Sequence, residues 1–320
     1  MNGGASDMSM THTLQGYRTL LTRYEGNPIL RPRDFPGEPA DAIFNCGQTM
    51  LGDQTILLLS VLLNGNPVPR IHVAESADGM RFAIRPEPFI TQHPDAPFHD
   101  LDTWPIDTRV TKIGDTYYIL RPGSQNIAFL HRTKDFRSHE FMEIVALPGN
   151  RVPCLFPEKI GGAYARLDRP QVGRRSQGEI WLSFSPDLIH WGRHRFLLDG
   201  FNDWCGNKIG PTPPIRTEAG WLEIIHGVSH NCSNYRYCLG AALLDLENPA
   251  KIIGHMQSYL LCPDTLYEHI GRVPDVVFTC GAIADLKTRR LRVYYGAADT
   301  CIGLAEGNVD EIVDAWRRGL

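Results

Sequence analysis

Between Asn150 and Pro170 the chain places four cationic side chains, Arg151, Lys159, Arg166 and Arg169, around a Gly161-Gly162 turn. Cations gathered in this way can hold an anion, and arginine suits phosphate because its planar fork donates two parallel hydrogen bonds. No general basic field accounts for them, since 32 Lys and Arg against 36 Asp and Glu leave a formal net charge of -4. Charge alone reads more simply as a solvated hairpin. The positions of two arginines favour an anion site: Arg151 precedes an apolar run and Arg169 adjoins Pro170, so each marks an element end that can face a cleft.

Other residues could join such a site, and each has a plainer reading. Asp107, between Ile106 and Thr108, is a general acid or a turn carboxylate. His226 follows the apolar pair Ile224-Ile225, where a core histidine is as natural as a ligand contact, and Tyr237 could be a buried strand aromatic. Asp299 could cap a turn. Metal chemistry is not expected: His190 with His194, and His226 with His230, lie beside strand-like runs, where side chains alternate instead of stacking as on a helix. The eight cysteines contain no Cys-x-x-Cys pair and are expected to be reduced thiols.

The elements that must position these residues are short strands. Apolar runs at Thr55–Leu63, Arg70–Glu75, Thr108–Ile113, Thr116–Leu120, Ile127–His131, Glu179–Phe184, Trp221–Gly227, Leu239–Leu244 and Leu291–Tyr295 are separated by turn signals, and 30 glycines with 23 prolines leave little room for long helices. A degenerate unit recurs: an apolar strand, a small polar residue with Asp, then more apolar residues. It occurs at Val73–Phe82, Leu130–Phe136 and Leu182–Trp191, and more weakly at Ala242–Leu246 and Gly303–Ala305. Recurrence at this spacing predicts an all-β, five-bladed β-propeller over residues 17–320, preceded by a flexible tail over 1–16; a large β-sandwich is the alternative. A short C-terminal helix is expected over Val309–Arg318, capped by Asn308, acidic in its first turn and basic in its last.

With 42% hydrophobic and 21% charged residues the chain can bury a large core, which excludes a disordered chain. No membrane span is expected, and with no Lys/Arg tract no nucleic-acid partner either. The polar first 16 residues lack an apolar segment of the secretory kind, so the cytoplasm is the default location. A homo-oligomer stays open.

Several motifs in order carry a resemblance. Phe44-Asn45-Cys46-Gly47, Asp107–Ile113, Leu155–Pro170, Lys208–Trp221, His226-Gly227-Val228, Tyr237–Asp245 and Tyr294–Thr300 together resemble glycoside hydrolase family 130, which contains β-mannoside phosphorylases and some β-mannosidases on a five-bladed propeller. The resemblance runs from about Asn27 to Ala305. It implies inverting phosphorolysis, in which inorganic phosphate as co-substrate attacks the anomeric carbon of a terminal β-mannosyl unit and α-mannose 1-phosphate leaves, with no cofactor. Asp107 falls at the position of the proton donor, which acts through a sugar hydroxyl. Arg151, Arg169, His226 and Tyr237 match phosphate-side positions, while Asn45, Arg109, Lys208 and Asp299 are assigned to substrate binding.

Some positions depart from the family's pattern. Ser60 stands where many members have arginine, Ile106 and Thr108 flank Asp107 where acidic or aromatic and proline residues are common, and Cys46 replaces a proline or small residue. Two other functions therefore compete: a β-mannosidase, which needs carboxylates that activate water where the phosphate-side cations lie, and a non-catalytic sugar-binding propeller.

Overall fold

The computed structural model describes residues 19–171, 178–230 and 234–318. The expected tail over residues 1–16 lies outside them. The described strands form five antiparallel sheets. Strand β1 is Leu21–Arg23. The first blade is β2 (Ala40–Leu51), β3 (Gln54–Leu63), β4 (Arg70–Ser76) and β5 (Ala83–Ile84). The second is β6 (Arg109–Ile113), β7 (Thr116–Pro122), β8 (Ala128–Thr133) and β9 (Glu140–Ala146), and the third is β10 (Cys154–Leu155), β11 (Tyr164–Asp168), β12 (Ile180–Ser185) and β13 (Gly192–Leu198). In the fourth, β14 (Lys208–Gly210) and β15 (Ile215–Arg216) both pair β16 (Trp221–His230), followed by β17 (Tyr235–Leu244) and β18 (Ile252–His255). In the fifth, β19 (Val277–Thr279) and β20 (Ile283–Asp285) pair β21 (Arg290–Ala297), then comes β22 (Cys301–Asn308), and β1 supplies the outer strand. The N-terminal strand thus closes the ring by pairing Leu21 with Gly307 and Arg23 with Ala305.

Each blade must bury both faces against its neighbours, and β3 shows how its sequence meets that need. Ile56 and Leu58 pack toward the second blade with Val110, Tyr117 and Ile119. Leu57, Leu59 and Val61 face the other way, against Tyr294, Ile302 and Leu304 of the fifth. An uninterrupted apolar run is what a strand covered on both sides requires. The same division repeats between blades two and three, three and four, and four and five.

The recurring Asp is a turn device between the third and fourth strands of a blade. Asp78 accepts from the backbone of Met80 and Arg81, Asp187 from Ile189 and His190, and Asp245 from Glu247 and Asn248; Asp135 accepts from Arg137. These are side-chain mimics of a turn hydrogen bond. The weak match at Gly303–Ala305 has a topological cause: in the fifth blade the fourth strand comes from the other end of the chain, so no such turn is needed there. The C-terminal helix α3 spans Val309–Ala315, shorter than expected, and a 3₁₀ turn continues to Arg318. Asn308 caps it by accepting from Asp310 and Glu311.

One expectation fails. Cys238 and Cys262 form a disulfide, with Cα atoms 4.4 Å apart. The segment around Leu261 folds back onto β17, where Leu239 N donates to Leu261 O at 2.8 Å, and this brings the neighbouring cysteines together. Cys46, Cys154, Cys205, Cys280 and Cys301 are free and buried; Cys232 lies outside the described residues.

Candidate active site

The first strand of a blade runs nearest the axis, with β6 beside both β2 and β10 and β19 beside β2. The inner strands and the loops at one end of them surround a cavity of about 210 Å³ lined by Asn45, Asp107, Arg151, Arg169, Lys208, His226, Tyr237 and Asp299, together with Val152, Gln171, Val273, Val276 and Phe278. Eight residues scattered over more than 250 positions are thereby drawn together from all five blades.

Local backbone distortion aims several of them. In β2 the pairing with β3 slips between Phe44 and Gly47, a bulge in which Asn45 takes φ 42°. Asp107, just before β6, has φ 52°, Val152 before β10 has φ 62°, and Asp299 in the β21–β22 hairpin has φ 47°. Side chains at positive φ cost about 1–2 kcal/mol each and persist where the surroundings fix them. Gly210 serves another purpose: a Cβ there would sit 2.2 Å from the His226 ring and 2.9 Å from the Arg169 side chain, so only glycine lets both lie against β14.

The cavity has two chemically different walls. On one, Asp107 accepts from Asn45 Nδ2 at 2.9 Å and from Arg151 Nη2 at 2.8 Å. Burial opposes ionisation of Asp107, but Arg151, with Arg109 beneath it, outweighs burial and holds the carboxyl below its ordinary range. Asp299 behaves oppositely. Burial, reinforced by the Asp107 charge, pushes it up to about 6. On the other wall, Arg169 is 3% exposed and has no carboxylate partner among the described residues; its Nε lacks any hydrogen bond there. Burial, then Arg151 and Arg109, lower Arg169 to about 9. Burial together with Arg169 and Arg151 lowers Lys208 to about 8, and its ammonium lies 5.0 Å from the centre of the Tyr237 ring. Burial and the same cations push His226 well below its ordinary value, so it is neutral near pH 7, and its Nδ1 has no hydrogen-bond partner among the described residues.

Such a wall is poised for an anion. Arg151 has one charge to share with Asp107, whereas Arg169 and Lys208 repel each other with nothing on the described residues to neutralise them. A dianion seated there would relieve that repulsion and supply acceptors for the orphaned donors.

Not every expected residue lies in the cavity. Arg109 is buried beneath it, donating to the Asp107 carbonyl and lying with its guanidinium carbon 5.3 Å from the centre of the Phe278 ring. Arg109 therefore stands behind Asp107 and is not among the residues that line the cavity. Two of the four clustered cations also point elsewhere: Lys159 lies over the Tyr164 ring at 4.4 Å, and Arg166 is ion-paired to Asp168 at 2.7 Å. Tyr267 and Glu268 belong to the core, Glu268 accepting from Arg23 and Tyr295. The departures become intelligible. Ser60 Oγ donates to Asn45 O at 3.0 Å and accepts from Asp107 N at 3.2 Å, joining the backbones of two cavity residues. Thr108 Oγ1 accepts from Gly47 N and donates to Leu58 O, and Ile106 packs on Ala42, Phe44 and Leu62. Gln171, Val152, Val273, Val276 and Phe278 were missed; only Gln171 and Val152, adjoining Pro170 and Arg151, carried a signal of proximity.

A five-bladed propeller whose axial cavity sets carboxylates and an amide beside cations without carboxylate partners among the described residues is suited to hold a polar ligand together with an anion. Comparison with known proteins gives the family. Residues 64–318 match the model of glycoside hydrolase family 130, described as β-1,4-mannooligosaccharide phosphorylase, and the chain belongs to that family. It is 33% identical over 307 residues to the β-1,4-mannooligosaccharide phosphorylase of Ruminococcus albus, covering 93% of this chain and 91% of that protein. It is 38% identical over 250 residues to the β-1,2-mannobiose phosphorylase of Listeria innocua, covering 76% and 67%. A solved structure of the β-1,2-mannobiose phosphorylase from Listeria innocua, in complex with β-1,2-mannobiose, superposes with a TM-score of 0.82 at 29% identity, covering 93% of this chain and 99% of that one.

Proposed function

We propose that this chain is a β-mannoside phosphorylase that cleaves a terminal β-mannosidic linkage with inversion, transferring the mannosyl unit to inorganic phosphate. The observation that carries the reading is the balance of charge: the lining carboxylates among the described residues are Asp107 and Asp299, both beside Asn45, and of the lining cations Arg151 is paired to Asp107 whereas Arg169 and Lys208 have no carboxylate partner among the described residues. A hydrolase of inverting type needs a carboxylate base on the face where water attacks. Here that face is cationic, which suits an anionic nucleophile.

In the proposed cycle Asn45 and Asp299 hold mannosyl hydroxyls, and Arg151, Arg169, Lys208, Tyr237 and His226 hold phosphate. A phosphate oxygen forms a bond to the anomeric carbon as the bond from that carbon to the acceptor oxygen breaks. The departing oxygen receives a proton from Asp107 through a sugar hydroxyl, Asp107 having taken that proton up from solvent once bound phosphate has drawn Arg151 away, so the products are α-mannose 1-phosphate and the shortened acceptor. Arg151 couples the halves. A phosphate that draws Arg151 toward itself weakens its hold on Asp107 and makes that carboxyl a better proton carrier.

The test follows both products as phosphate is varied, with β-1,4- and β-1,2-mannobiose as substrates. Mannose 1-phosphate should appear in proportion to mannobiose consumed, and consumption should stop without phosphate. Free mannose dominating at saturating phosphate would assign a hydrolase instead, and no consumption of either disaccharide would favour the sugar-binding alternative.

A further inference from the structure

The cationic wall is thin, and its far side is built. Residues 149–151 and 169–171 run side by side, Asn150 bridging to Pro170 and Gln171 N donating to Gly149 O at 2.7 Å. Arg151 and Arg169 project from these segments into the cavity, whereas Asn150, Asp168 and Pro170 border a groove behind it, between blades two and three. The Asn150 side chain spans the two segments: its Oδ1 accepts from Arg169 N at 2.9 Å and its Nδ2 donates to Asp168 Oδ1 at 2.8 Å. Asp168 is anchored in turn by Arg166 at 2.7 Å and by the Ser183 hydroxyl, and Arg166 Nη1 donates to Val145 O of the second blade at 2.9 Å.

We propose that Asn150 is a positioning residue for phosphate, setting the spacing of Arg151 and Arg169 by holding the backbone of the one against the backbone of the other. The inference rests on the phosphorylase reading above. Asn150 adjoins Arg151 in sequence and grips Arg169 through its backbone N–H, so one amide fixes both forks relative to a strand that Arg166 moors to the neighbouring blade. A polar contact of this kind is the sort that holds a site within the fraction of an ångström that catalysis demands. An asparagine serves where aspartate does not, because the same side chain must accept from an N–H and donate to a carboxylate.

N150A and N150D separate positioning from mere folding. N150A should raise the phosphate KM about tenfold, the scale of one or two net hydrogen bonds, with kcat at saturating phosphate, mannobiose KM and thermal midpoint near those of wild type. N150D keeps the acceptor for Arg169 N but sets a carboxylate against Asp168, and two carboxyls so close share a proton only as pH falls. Its phosphate KM, taken as a ratio to wild type at each pH, should be raised near pH 8 and recover toward pH 5.5, whereas the N150A ratio should stay flat. Binding of orthophosphate alone, by calorimetry, should follow the same order. An unchanged phosphate KM in N150A, or parallel rises in both substrates' KM with a lowered thermal midpoint, would overturn the positioning role while leaving a phosphate-dependent wild type intact. A wild type that needs no phosphate would overturn the phosphorylase reading, and this inference with it.

Discussion

Two buried arginines in this propeller differ in what surrounds them. Arg121, in the second blade, is fully buried; its two terminal nitrogens donate to the two oxygens of the equally buried Asp102, its Nε donates to His131, and its guanidinium lies over the Phe129 ring at 4.6 Å. Arg169 is buried to nearly the same degree, yet it has no carboxylate partner among the described residues, and burial, then Arg151 and Arg109, lower it to about 9. A buried charge costs several kcal/mol unless it is paired. Arg121 has met that cost within the protein and serves the fold. Arg169 leaves it unmet among the described residues, and on the phosphorylase reading the partner that would meet it is phosphate.

The largest effect expected from this contrast is on the one carboxylate that the cationic wall does touch. D107N keeps the shape and the Asn45 contact but cannot pass a proton, so turnover should fall about 10²- to 10⁴-fold while mannobiose still binds. Single-turnover rates with binding measured separately would check it; near-wild-type turnover removes Asp107 from the chemistry. Next comes the fold itself. Arg121→Ala leaves Asp102 charged and unpaired in the interior, and a loss of about 3–5 kcal/mol of stability is expected, read from urea midpoints. Replacing both partners with apolar residues should cost far less, because no charge is then stranded.

Arg169→Ala should behave in the opposite sense. Its removal relieves repulsion with Arg151, so the thermal midpoint should hold or rise. Phosphate use, in contrast, should weaken by about 10- to 150-fold, the equivalent of a charge-assisted hydrogen bond of roughly 1.5–3 kcal/mol. Arg169→Lys should restore part of this, since a point charge does not reproduce the fork. If Arg169→Ala instead destabilises as Arg121→Ala does and leaves the phosphate dependence alone, the two arginines are the same kind of residue and the contrast is void.

The sequence distinguished these two kinds of arginine only in part. Repeats and apolar runs disclosed the propeller, and the ordered motifs disclosed eight of the thirteen residues that line the cavity. Strand β2 escaped notice because Asn45 and Gln48 interrupt its apolar run, one turned into the cavity by a bulge and the other bonded across to Tyr294 O and Thr279. Strand β11 was hidden by Arg166 and Asp168, charges that look solvated until one sees them buried and paired. Closure by β1 could not be read locally, since its partner β22 lies nearly the whole chain away. The disulfide was equally illegible: nothing in the spacing of Cys238 and Cys262 says that the chain turns back between them. The position of Arg109 behind Asp107 was not legible either, for a motif preserves a residue's identity without telling which way its side chain faces.

The smallest effect separates two aspartates as the arginines were separated. Asp102 is paired to Arg121, whereas Asp299 is partly buried with no ion pair among the described residues, and burial with the Asp107 charge pushes it up to about 6. A carboxyl raised from its unfolded value near 4 stabilises the fold below that value and loses its contribution as pH rises through about 6. Asp299 should therefore make the protein less stable between about pH 4 and 6 as pH increases, by roughly 1 kcal/mol after allowance for solvent screening. His226, lowered well below its ordinary value, slopes the other way in part of this window, because the unfolded histidine takes up a proton that the folded one refuses. Comparing wild type with D299N at each pH cancels that common slope. The stability difference should shrink as pH rises from about 4 to about 6, and in a D107N background the change should move to lower pH because one of its two causes is gone. A difference that is constant across the window would show that Asp299 ionises as an ordinary surface carboxylate does, and the acid-bearing wall would then have no proton to hold there.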